Sequence, residues 1–82
     1  MADNTTNIVT LADVAIGGSA VIRDFEEGAR ARRFVEMGFV PGTTVTVLRS
    51  APLGDPIEYA VMGGRIAMRR SDASVILVEV SF

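Results

Sequence analysis

Few residues in this 82-residue chain could do chemistry, and their types are more informative than their spacing. Histidine and cysteine are absent, and all eight basic residues are arginine. Without histidine the usual base near neutral pH is missing. Without cysteine there is no thiolate nucleophile, disulfide framework or cysteine zinc site. Without lysine a Walker-type phosphate loop, a Schiff base and a Ser-Lys pair are all ruled out. The remaining set is serine, threonine, one tyrosine, arginine and scattered carboxylates, with no base near a nucleophile in sequence, so the chain reads as a non-enzyme. A transition metal favours imidazole with carboxylate or an open set of carboxylates, and the only adjacent acids are Glu26 and Glu27. These read as a solvated pair favouring a helix start, with weak metal binding as the other reading. Met62 and Met68 fall in strand patterns and read as core rather than as soft-metal ligands.

What remains to be positioned is a set of contact residues. Arg30, Arg32 and Arg33 form one basic cluster, and Arg65, Arg69 and Arg70 form another. Each is either a solvated face or a docking surface for an acidic partner, the extreme case being an arginine offered to a partner's nucleotide. Leu53 stands between turn formers at a loop tip, where an exposed leucine becomes an anchor for a partner's pocket. Asp55, between Gly54 and Pro56, is placed to accept backbone N–H bonds and fix that loop.

The elements that carry these residues follow from the pattern. Ser19 to Phe25 reads as a strand entered through Gly17-Gly18, with Leu11 and Val14 packing beneath it. A short helix is expected from Ala29 to Met37, with Gly28 as N-cap and Gly38 ending it. Pro41-Gly42 forms a turn into the β-branched strand Thr43 to Leu48. The loop Ala51 to Pro56 leads to a strand from Ile57 to Met62, and a Gly63-Gly64 hairpin turn leads to another from Arg65 to Arg69. Ser71 to Ser74 is a short turn, and Val75 to Val80 is the closing strand. About five short strands with one short helix make a small all-β domain, a partly open barrel. Residues 1–7 are polar, lack the chemistry of a signal peptide and read as a flexible cytoplasmic tail, leaving residues 8–82 as the domain. No apolar run approaches the roughly 18 residues needed to span a membrane.

Three segments in register carry a resemblance: Met37-Gly38-Phe39-Val40-Pro41-Gly42, Ala51-Pro52-Leu53-Gly54-Asp55-Pro56, and Arg65-Ile66-Ala67-Met68-Arg69-Arg70. Together they resemble the FeoA family of ferrous iron transport protein A, over roughly Leu11 to Val80. Phe34 and Met68 stand where the family more often has leucine, apolar exchanges that leave the core pattern intact. The resemblance implies an SH3-like barrel with no cofactor of its own, acting beside the FeoB membrane transporter or its GTP-binding domain, and a weak family association with transition-metal binding. The chain is also similar to the C-terminal domain of diphtheria-toxin-repressor-type metalloregulators. An alternative is therefore a self-associating or regulator-linked interaction module. The candidate partner-binding residues are Arg30, Arg33 and Met37 on the helix and Leu53 on the loop. Nucleic acid is a poor fit to a net charge of −2 and to scattered aromatics. Proline-rich peptides need an aromatic groove, and tryptophan is absent.

Overall fold

Alternation of apolar and polar residues sets the architecture, with each strand turning one face inward. Val45 and Val47 of β3 (Thr44–Ser50) and Ile57, Tyr59 and Val61 of β4 (Ile57–Val61) are buried, and the residues between them are not. A computed structural model describes residues 6–81. Its single antiparallel sheet has the order β1-β6-β2-β3-β4-β5. The remaining strands are β1 (Thr6–Thr10), β2 (Ser19–Phe25), β5 (Gly64–Met68) and β6 (Ile76–Ser81). Six strands thus replace the expected five. The extra one is β1, which pairs with β6 from Thr6↔Ser81 to Thr10↔Leu77. It begins inside the segment read as a tail, while residues 1–5 lie outside the described residues. With only Ile8 and Val9 apolar, β1 has little pattern of its own, and its conformation comes from pairing with β6.

Two bulges bend the sheet. Arg23 is the extra residue of β2 against β6, and Leu48 that of β3 against β4. Sheet curvature of this kind wraps the inner faces around one core of Leu11, Ile22, Phe39, Val45, Val47, Tyr59, Ile76 and Val78. The rings of Phe39 and Tyr59 meet edge to face at 6.1 Å.

The helix α1 (Ala31–Glu36) is shorter than expected and begins after Arg30, not Gly28. Gly28, at φ +87°, belongs to a preceding turn closed by the Ala29 N–H donating to Glu26 O at 3.0 Å. Glu26 and Glu27 therefore lie outside the helix's first turn, which contains no acid. Its C-terminus follows the expected chemistry. Gly38 takes φ +108°, its N–H donates to Val35 O at 3.0 Å, and the Phe39 N–H donates to Phe34 O at 3.0 Å. This pair of bonds is the Schellman arrangement, which turns Phe39 directly into the core. A second, four-residue helix, α2 (Arg70–Ala73), occupies the expected Ser71–Ser74 turn.

The β4–β5 hairpin turns at Met62-Gly63, one residue earlier than expected, because Val61 and Gly64 already pair. Both central residues have positive φ, Met62 at +52° and Gly63 at +78°, as a type I′ turn requires. Met62 is therefore an exposed turn residue, while Met68 is buried as expected. A left-handed methionine costs roughly 1–2 kcal/mol, which asparagine largely avoids. Met62→Asn is expected to raise Tm by about 4 °C or more in scanning calorimetry. A fall in Tm would show that side-chain contacts at Met62 outweigh the backbone strain.

Candidate partner-binding surface

The loop after β3 holds its shape by its own bonds. The Gly54 N–H donates to Ala51 O at 2.7 Å, and the Ala51 N–H to Pro56 O at 2.9 Å. Gly54, at φ +91°, makes the sharp reversal that places Leu53 at the tip, 97% exposed. A side chain so bare gains nothing from the fold, so its apolar surface is available to another molecule.

Asp55 fixes this loop, though not through the loop's own N–H groups. Its Oδ1 accepts the backbone N–H of Arg70 at 2.8 Å, fastening the loop to the start of α2. Arg70 completes the tie: its guanidinium donates to Gly54 O and to Ala12 O, each at 3.2 Å. One arginine thus joins the Leu53 loop, α2 and the 3₁₀ turn Leu11–Asp13. By sequence Arg70 belongs to a basic cluster that reads as either a solvated face or a docking surface. Its three fixed carbonyl and backbone links make it a structural clamp instead, and no local signal in the sequence pairs it with Asp55.

On α1 the candidates separate by what holds them. Arg33 Nη2 reaches Asp72 Oδ2 of α2 at 3.4 Å, and its guanidinium lies 5.4 Å from the centre of the Phe34 ring. Phe34 in turn is buried and stacks on Phe25 at 6.0 Å. Met37 is half-buried and packs against the core. Arg30 is exposed, and its guanidinium has no ion pair or hydrogen bond among the described residues. Arg32 faces Glu36 at 3.9 Å with both side chains exposed, a contact worth little. Through Asp72 and Arg70, α2 links α1, which carries Arg33 and is preceded by Arg30, to the loop bearing Leu53. The four candidates thus sit on elements joined by α2, with Leu53 and Arg30 free and Arg33 and Met37 engaged in the fold.

Among the described residues, Ile8, Ile16, Val35 and Met62 are the other large apolar side chains exposed to solvent, and of these only Met62 stands out by residue type, for a different role. Met62 lies over Gly38, close enough that a β-carbon added at Gly38 would stand 3.2 Å from its Cγ. Val35 adjoins the same glycine through the helix C-terminal bond. Among the described residues no three of His, Cys, Asp and Glu cluster as a metal would need. The one buried side-chain polar atom without a hydrogen-bond partner among the described residues is the Tyr59 hydroxyl. Burial pushes its pKa up to about 12, partly offset by the charge of Arg70 and reinforced by that of Asp55. A phenol locked neutral in the core contributes packing, not proton transfer.

Comparison with known proteins identifies the family. A stretch of 71 residues, 85% of the chain, is 44% identical to the Fe(2+) transport protein A/Fe(2+) transporter FeoB fusion protein of Porphyromonas gingivalis, of whose length it spans 8%. Among solved structures, the FeoA-like protein of Clostridium acetobutylicum superposes with a TM-score of 0.82 at 32% identity, over 89% of this chain and 86% of that one. The FeoA of Stenotrophomonas maltophilia, crystallised with zinc and described as an SH3 domain protein, superposes with a TM-score of 0.74 at 32% identity, over 85% and 88% of the two chains. Residues 9–80 match the FeoA domain, and the chain belongs to the FeoA family.

Proposed function

We propose that this chain is a non-catalytic accessory protein of bacterial ferrous-iron uptake, acting by binding a FeoB-type transporter on its cytoplasmic side. The observation that carries this reading is the Porphyromonas gingivalis relative, in which a matching segment and the transporter share one polypeptide. Covalent linkage raises the effective concentration of one module at the other, a gain only where the two act together. An accessory role also fits a surface whose spare features are contact groups, with Leu53 bare at a rigid loop tip and Arg30 unpaired beside α1. Arg33 and Met37 would contribute to docking only by giving up part of their own packing, so Leu53 and Arg30 rank above them. No helix among the described residues is long and apolar enough to cross a membrane, so contact with the bilayer would come through the transporter.

Cells lacking the chain, with the transporter retained, are expected to take up less radiolabelled ferrous iron, with uptake restored by the wild-type protein. Leu53→Ser is expected to keep Tm within about 1–2 °C, as an exposed site allows, and yet restore uptake poorly. Full restoration by Leu53→Ser would remove Leu53 from the docking face. Unchanged uptake in the deleted cells would overturn the accessory role itself.

A further inference from the structure

Strand β5 is one end of the sheet, and its outer side has no neighbouring strand among the described residues. The hairpin register decides which backbone groups it leaves free. Val61 and Gly64 close the two-residue turn, so Val61↔Gly64, Tyr59↔Ile66 and Ile57↔Met68 are the pairs that exchange hydrogen bonds. Arg65 and Ala67 lie opposite Ala60 and Glu58 in the intervening pairs. Their N–H and C=O groups therefore point away from β4, along the open edge. Ile66 and Met68 turn toward the core, and Arg65 and Ala67 turn outward.

The outward side chains give this edge a definite chemistry. Arg65 and Arg69 flank Ala67 at two-residue spacing, and neither guanidinium has an ion pair or hydrogen bond among the described residues. Nearby, Glu58 is taken by Arg49, whose Nε lies 2.6 Å from its Oε1, so the acid closest to this edge is already paired. Beside Ala67 lies a hollow of about 330 Å³, bounded by Arg49, Ala51, Pro52, Pro56 and Glu58. The small Ala67 side chain leaves the way into that hollow open.

We infer that the β5 edge is a strand-addition site for an extended segment of another protein, with an apolar residue flanked at two positions on either side by acidic residues. Backbone bonds to Arg65 and Ala67 supply the register. Because side chains alternate with a period of two, the residues opposite Arg65, Ala67 and Arg69 share one face. The acids then meet the two free guanidinium groups, and the apolar residue between them reaches over Ala67 into the hollow. A second copy of this chain is disfavoured as the occupant, since edge-to-edge pairing of two β5 strands brings arginines together. The inference goes beyond the proposed function and holds whichever protein supplies the segment.

The test uses the peptide Ac-Thr-Glu-Thr-Val-Thr-Glu-Thr-amide and a control with lysine at both glutamates, titrated into the labelled protein by NMR at low salt. The expected result is saturable, sub-millimolar binding of the glutamate peptide, with at least tenfold weaker binding of the lysine peptide. The Arg65 and Ala67 amides should exchange with solvent at least tenfold more slowly in the complex. Arg65→Glu with Arg69→Glu, and separately Ala67→Pro, should each weaken binding at least tenfold. Proline at Ala67 removes an N–H that the ladder does not use, as edge strands tolerate. If that variant is unfolded by circular dichroism, the charge reversals and the amide exchange decide. Equal affinity for the two peptides, unchanged Arg65 and Ala67 exchange, or dimerisation through β5 would each overturn the inference. Binding of the transporter's cytoplasmic domain that survives Ala67→Pro, with no peptide binding, would sink this inference and leave the accessory role standing.

Discussion

Phe39→Ala is expected to cost about 3–5 kcal/mol, the range for removing a fully buried phenylalanine ring. For a domain of this length the whole stability is only roughly 4–12 kcal/mol, so the variant should be partly unfolded at 37 °C. The expected cost is high because the Phe39 ring is fully buried and is the edge-on partner of Tyr59 in the core, while the backbone N–H that closes the end of α1 on Phe34 O is kept in the variant. Truncation opens a cavity between α1 and β4 that neither the rigid sheet nor the capped helix can close. Urea unfolding should show a lower midpoint with an unchanged slope. A loss below about 1 kcal/mol would mean that the core collapses around the gap and that the ring is not its keystone.

The second large effect is alkaline. Tyr59 is the chain's only tyrosine, and lysine and cysteine are absent, so almost nothing else titrates between pH 9 and 12. In the unfolded chain the phenol loses its proton near pH 10, whereas burial holds the folded-state pKa at about 12. The raised value means that stability from the neutral phenol is complete below pH 10 and is lost as pH climbs from 10 to 12, where the unfolded chain binds fewer protons than the native one. The difference between the unfolded and folded pKa corresponds to on the order of 3 kcal/mol. Denaturant midpoints should therefore fall steeply between pH 10 and 12, with phenolate absorbance rising as the fold is lost. Tyr59→Phe should flatten that fall. It also removes the unpartnered hydroxyl, so its stability at pH 7 should match or exceed that of the wild type. A phenolate that forms near pH 10 without unfolding would show that the hydroxyl is reached by solvent.

Much of this fold is legible in the sequence because its signals are local. The alternation from Ser19 to Phe25 places β2 at its observed bounds, and Gly38 marks the end of α1 because only a residue free to take positive φ closes that turn. Signals that depend on a distant partner are less readable. Strand β1 gains its conformation from β6, at the other end of the chain. Gly28 has the sequence context of a helix cap, but the backbone needs its positive φ for a turn before the helix. The Gly63-Gly64 pair suggests the hairpin centre, yet cross-strand register puts Met62 there at a strained angle. The surface divides in the same way. Exposure of Leu53 follows from the turn residues around it, whereas the fates of the arginines do not follow from neighbouring sequence. Arg70 is committed to Gly54 and Ala12, and Arg33 to Asp72 and Phe34, by contacts that only the folded chain creates.

Titration of the purified chain against a FeoB-type transporter, as its isolated cytoplasmic domain and as the full-length protein in detergent, tests the partner-binding role most directly. Saturable binding that changes between GTP-bound and nucleotide-free transporter is the expected result, and weaker binding of Leu53→Ser would place the loop tip in the contact. Absence of binding to either form in every nucleotide state would contradict it.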